Sequence, residues 1–134
     1  MIVVDSNLLV YLYVQGQQTA RAEGVFRRDS IWAAPLLWRS EFRNSLVGLI
    51  RQRALQLGEA LSVTAEAERL MAGREYGIPS GPVLELALRS GCSAYDCEFV
   101  ALAGDLGVRL VTTDRQVLRA FPRTAVSPDD FTAT

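Results

Sequence analysis

The 134-residue chain has no histidine and no lysine; all fourteen of its basic residues are arginine. Without histidine there is no Ser-His-Asp or Cys-His nucleophile and no paired-histidine ribonuclease chemistry. Without lysine there is no Schiff base and no Walker A phosphate loop. A phosphate-transfer receiver domain, which also places acids at strand ends, is excluded by the same absence. Cysteine is scarce: Cys92 and Cys97 lack C-x-x-C spacing and histidine partners. They read as thiols packed as small apolar groups, not as zinc ligands. No apolar run approaches the ~18 residues of a membrane span, and the N-terminus lacks the basic region and cleavage site of a signal peptide. The expectation is a cytoplasmic protein with no membrane partner. Neither sign of charge dominates, since the formal net charge is -1. That argues against a surface uniformly attractive to nucleic acid and leaves local basic patches open. Acid–base or metal chemistry must fall to carboxylates, hydroxyls and water.

With 49% hydrophobic residues, the chain is long enough for one domain with a sizeable core, residues 1–134, and too short for two. An apolar start at residues 2–5 reads as a strand, followed by a helix from Asn7 to about Val14. Residues 19–30 read as a second helix with Ala22, Val25 and Phe26 on one face. "IWAA" reads as a buried strand ended by Pro35. Trp38, Phe42, Leu46, Leu49 and Ile50 recur at helical spacing within 36–53. Further helices are expected at 59–75, 82–90 and 94–106, with "YGIPSGP" as a break. "VRLVTT" (108–113) reads as a buried strand, "RQVLRAF" as a short helix and Ala125–Val126 as a last strand. The tail "SPDDFTAT" is expected to fray. Strands alternating with helices imply an α/β fold, a mostly parallel sheet of about four to five short strands covered on both faces.

Four acids occupy telling positions: Asp5, Glu41, Asp96 and Asp114. Each has a local explanation. Asp5 and Asp114 can cap the helices that follow them. Ser93 can cap the next helix with Asp96 answering three residues later, and Glu41 suits the positive end of its own helix. Taken together they read differently. Asp5 and Asp114 each follow a buried strand and emerge at the carboxyl edge of the sheet, where open α/β folds bind ligands. If the helices carrying Glu41 and Asp96 start at that edge, all four acids converge. Two unit charges 4 Å apart repel by about 4 kcal/mol at an effective dielectric near 20. A cation would offset that, and an all-oxygen shell suits Mg²⁺ or Mn²⁺.

At these residues the chain resembles a family. "MIVVDSNLLVYL", "LWRSEFRNSL" and "SAYDCEFVALAGDLGVRLVTTD", together with the length, resemble the PIN-domain ribonucleases, specifically the VapC-type toxins of toxin–antitoxin pairs. The resemblance runs from Met1 to roughly Val126. It implies a PIN-like three-layer fold, with Asp5, Glu41, Asp96 and Asp114 as the four family acids in order. Asn7 matches the polar position two after the first acid, and Thr112 the hydroxyl residue two before the last; both would support the pocket. The implied activity is Mg²⁺- or Mn²⁺-dependent hydrolysis of RNA phosphodiester bonds. Asp5, Asp96 and Asp114 would be the leading ligands, with Glu41 a ligand or an orienter of the attacking water. The implied partners are RNA, a second copy of the chain in a homodimer, and a cognate antitoxin that lays a basic side chain into the acidic pocket. Residues 55–90 match least well, and substrate choice is expected to lie there.

Arg39 and Arg43 flank Glu41, and Arg115 follows Asp114; they are candidate phosphate contacts or a solvated helix face. Trp32 and Trp38 are candidate base-stacking residues or, by their apolar spacing, core. Two other functions fit the same residues: a PIN nuclease of RNA maturation that is not a toxin, or an inactive RNA-binding module whose acids only cap helices. A small antitoxin gene immediately upstream separates the first, and Mg²⁺-dependent cleavage lost in Asp5→Asn excludes the second.

Overall fold

The computed structural model describes residues 1–133. Its centre is Ile2–Val4 (β1), three β-branched residues without a polar break and all buried. On one side β1 pairs in parallel with Trp32–Pro35 (β2), and on the other with Leu110–Val111 (β4). Glu75–Tyr76 (β3) and Ala125–Val126 (β5) complete an all-parallel sheet in the order β3-β2-β1-β4-β5. Such a sheet needs both faces covered. The cover comes from Ser6–Tyr13 (α1), Thr19–Arg28 (α2), Trp38–Arg51 (α3), Leu57–Met71 (α4), Ser80–Ser90 (α5), Ala94–Leu106 (α6) and Arg115–Ala120 (α7). Pro128–Thr132 (α8) packs on α2. No helix among the described residues is long and apolar enough to cross a membrane.

The expected helical stripe on α3 forms: Trp38, Phe42 and Leu46 are buried, with Trp38 edge-on to Phe42 at 5.5 Å between ring centroids. Trp32 and Trp38 are both fully buried. That places them in the core and removes them as base-stacking platforms. Cys92 and Cys97 are buried free thiols, as expected.

Three local expectations are corrected. Pro35 does not end the strand before itself; it is the last residue of β2, opposite Tyr76, and the ladder passes on through the Leu36 N–H to the Tyr76 carbonyl. β3 lies inside the stretch expected to be a helix end and a break. Its two residues are held by pairing with β2 rather than by their own propensity. Within the described residues the tail forms α8 instead of fraying, because Ser127 caps it by accepting the Asp130 N–H and Pro128 suits its first turn; Thr134, the end of that stretch, lies outside the described residues.

A parallel sheet also fixes where the helices start. A helix between parallel strands carries the chain back from the carboxyl edge to the amino edge, so α3 after β2 and α6 before β4 begin at the carboxyl edge. Gly107, left-handed at φ 68°, closes α6 and turns the chain into β4.

Candidate active site

Four separate segments meet at that carboxyl edge. Asp5 follows β1, Asp114 follows β4, and Glu41 and Asp96 lie in the first turns of α3 and α6. All four line one cavity of about 230 Å³, together with Ser6, Asn7, Asn44, Ser45 and Thr112. Capping and convergence turn out not to be alternatives. Asp5 Oδ1 accepts the Leu8 N–H at 2.8 Å, capping α1. Its Oδ2 accepts the Thr112 hydroxyl at 2.6 Å and the Thr113 N–H at 3.1 Å. Asp114 Oδ1 accepts the Val117 N–H at 3.0 Å and caps α7. The Ser93 hydroxyl caps α6 by accepting the Asp96 N–H at 3.0 Å. The caps hold the carboxylates at the cavity wall.

Their electrostatics show the crowding. Burial pushes the Asp5 carboxyl above its ordinary range, against the hydrogen bonds from Thr112, Leu8 and Thr113, and Asp114 adds to the rise. Glu41 is raised first by burial and then by Asp96, Asp5 and Glu98, with the Ser6 hydroxyl opposing. Asp96 is raised by burial and by Asp114, with Ser93 opposing. None of the four takes part in an ion pair among the described residues. A cavity with this much negative charge and no arginine in it repels phosphate until a cation enters.

The donor set is oxygen only, with neither cysteine nor histidine, and so suits a hard divalent ion such as Mg²⁺ or Mn²⁺. The spacing is wider than the sequence led us to expect. Among the described residues no three acidic, cysteine or histidine side chains stand close enough together to ligate one ion. The reason is local: Asp5, Asp114 and Glu41 are each tied to their own anchors, Leu8 and Thr112–Thr113, Val117, and Ser6. The candidate donors for an ion are those four carboxylates, which line one cavity without standing around a single point.

The arginines separate. Arg39 is held by Glu75 through two bonds of 2.6 and 2.9 Å, and by Glu68 at 3.1 Å. It ties α3 to β3 and α4, and a phosphate contact would require breaking that tie. Arg43 is exposed and does not line the cavity. Arg115 is exposed beside Asp114 and lines a neighbouring cleft instead. Among the supporting residues, Thr112 is buried against Asp5, while Asn7 is exposed at the cavity. Sequence reading missed Ser6, whose hydroxyl donates to Glu41 Oε1 at 2.7 Å, because that bond spans 35 residues of chain. It also missed Asn44 and Ser45, although their spacing of three and four from Glu41 puts them on the same helix face.

No family model matches the chain. Ribonuclease VapC3 of Pyrobaculum aerophilum is 29% identical over 124 residues, which cover 90% of this chain and 95% of that protein. In fold, the chain is similar to the crystal structure of PAE2754 from Pyrobaculum aerophilum, with a TM-score of 0.78 and 21% identity over 98% of this chain and 93% of that one. A toxin–antitoxin complex from Klebsiella pneumoniae matches with a TM-score of 0.69 and 16% identity over 96% of this chain and 98% of that one. The similarity to VapC-type PIN ribonucleases carried by the sequence motifs is thus found again over nearly the whole chain.

Proposed function

We propose that this chain, with its similarity to a VapC ribonuclease, is a Mg²⁺- or Mn²⁺-dependent ribonuclease that hydrolyses RNA phosphodiester bonds as the toxin of a toxin–antitoxin pair. The observation that carries the reading is the gathering of Asp5, Glu41, Asp96 and Asp114, from four separate segments, around one cavity with no arginine to neutralise them. Asp5, Asp96 and Asp114 would hold the ion, and Glu41 would join them or orient the attacking water. A bound divalent ion would lower the pKa of a coordinated water and offset charge on the phosphate oxygens. The chain's own part is positional. Thr112 and the Thr113 N–H fix the Asp5 carboxylate, and Ser6 fixes Glu41. Asn7, which lines the cavity, would donate to a substrate oxygen.

The same electrostatics supports an antitoxin partner: an arginine or lysine from another chain could satisfy the carboxylates in place of a metal. A homodimer and a cytoplasmic site of action complete the reading, with residues 1–134 acting as one domain. The test is expression in a heterologous host, wild type beside Asp96→Asn, with sequencing of the RNA 5′ ends that arise. New 5′ ends with wild type alone are expected. Identical end profiles in the two strains would overturn the reading.

A further inference from the structure

We infer that the carboxyl edge of the sheet carries a second subsite beside the acidic cavity: a cleft between Arg21 and Arg115 that binds the phosphate backbone of an RNA strand next to the bond being cut. This rests on the ribonuclease reading above and extends it to how the strand is held.

The cleft, about 200 Å³, is lined by Arg21, Thr113, Arg115, Ser127 and Asp129 over an apolar floor. The segment after β4 is a wall shared with the cavity. Thr112 and Asp114 line the cavity, whereas Thr113 and Arg115 line the cleft. Ser127 follows β5, the next strand along the same edge. A strand with one phosphate at the carboxylates would pass along this shared wall to bring a neighbouring phosphate to the cleft.

The charges there are available. Arg115 is exposed and makes no ion pair or hydrogen bond among the described residues. Arg21 meets Asp129 at 3.2 Å, but the two side chains are 55% and 67% exposed. Its contact with Gln18 at 3.3 Å is exposed as well. Exposed pairs of this kind are weak and screened by salt. A phosphate, which accepts the guanidinium fork with two oxygens, competes well against them. Arg21 and Asp129 also border an adjoining groove that carries the exposed Arg27 on α2, so positive charge continues beyond the cleft. With a net charge of -1 over the whole chain, attraction for RNA has to come from such a local patch.

The test is binding of a short fluorescein-labelled single-stranded RNA in chelator, which blocks turnover and leaves the cavity repulsive, measured by anisotropy across a salt series. Arg21→Ala and Arg115→Ala should each weaken binding several-fold and lower the slope of log affinity against log salt by about 0.7, the value of one single-strand phosphate contact. The lysine variants should keep the slope, because the point charge remains. Asp129→Asn should tighten binding, since it removes the partner that competes for Arg21. Arg89→Ala, the same charge loss on α5, should change neither affinity nor slope by comparable amounts. Equal effects at Arg89, Arg21 and Arg115 would overturn the cleft, and so would a wild type that binds no RNA in chelator. Loss of oligoglutamate peptide binding in Arg21→Ala/Arg115→Ala with RNA binding intact would assign the cleft to an acidic peptide and overturn it too. Cleavage by wild type in Mn²⁺ separates the two readings. If wild type cleaves and both arginine variants cleave equally well, the cleft fails and the ribonuclease stands; if wild type cleaves nothing, the ribonuclease reading fails, whatever the binding slopes show.

Discussion

At the residue scale, Asp5 and Asp114 each cap a helix and line the acidic cavity, two placements that the sequence presents as rivals. An acid at the end of a buried apolar segment was legible at Asp5, directly after β1, and at Asp114, separated from β4 by two residues, because an unpaired charge is costly in the core. What the sequence could not show is how many bonds each acid makes. Asp5 uses both oxygens, one on Leu8 and the other on Thr112 and Thr113. Asp114 makes one side-chain bond, to Val117. The two asparagine variants should therefore differ. In Asp5→Asn, if the amide oxygen keeps the Leu8 bond, the amide nitrogen faces the Thr113 N–H, donor against donor. We expect a loss of roughly 1–2 kcal/mol in chelator, partly relieved by removal of a crowded charge and read from urea unfolding. Asp114→Asn keeps its cap, since asparagine caps about as well as aspartate. It also removes a charge that raises Asp5 and Asp96. In chelator it should melt no lower than wild type. In millimolar Mn²⁺ wild type should gain by linkage, about 2.7 kcal/mol when free ion is roughly 100-fold above its Kd, and Asp114→Asn should lose most of that gain. Equal metal-induced shifts in the two proteins would return Asp114 to the role of a cap.

At the element scale, long amphipathic helices were readable from spacing alone, and α6 runs over Ala94–Leu106 as expected. β3 was not readable, because Glu75 and Tyr76 are half-buried and their strand character comes from pairing with Ala34 and Pro35, 41 residues earlier in the chain. That neighbour pairing also explains Arg39. Glu75 accepts from Arg39 and from the indole N–H of the fully buried Trp38 at 2.7 Å. The Glu75 carboxyl is held below its ordinary range by Arg39 first, and then by Trp38. This joint anchors Trp38 and Arg39 in the first turn of α3, the turn that carries Glu41. Glu75→Ala leaves the Trp38 N–H without its acceptor and should cost roughly 2–3 kcal/mol in urea unfolding. Glu75→Gln, which keeps an acceptor for Trp38, should cost less. A loss in Glu75→Ala no larger than in Glu75→Gln would show that the joint does not hold α3.

At the scale of the whole molecule, charge is distributed so that the carboxyl edge is destabilised at neutral pH. The carboxyls of Asp5, Glu41 and Asp96 lie above their ordinary values of 3.8, 4.5 and 3.8. Groups of this kind bind protons more tightly folded than unfolded. Their contribution is fully present below the unfolded pKa and is lost as pH rises through the folded one. Glu75 works the other way, contributing above its unfolded pKa and losing that contribution only as pH falls through its lowered folded value. Well above its ordinary value Glu75 is ionised in both states, so the raised acids, Asp5, Glu41 and Asp96 with Glu98 beside them, set the trend there. In chelator the melting temperature should fall as pH rises above the ordinary carboxyl values, and millimolar Mn²⁺ should offset the fall. A flat profile in chelator would mean that burial, with the neighbouring carboxylates, does not raise the three carboxyls as described.

The most direct test of the central claim, that this edge is a metal-dependent phosphodiesterase site, is the initial rate of RNA cleavage by purified wild type and Asp114→Asn across a Mn²⁺ titration. Wild type should be silent in chelator and rise to saturation with Mn²⁺, while Asp114→Asn, folded and capped, stays near the chelator baseline at every concentration. Cleavage by wild type in chelator, or equal rates for the two proteins in saturating Mn²⁺, would contradict it.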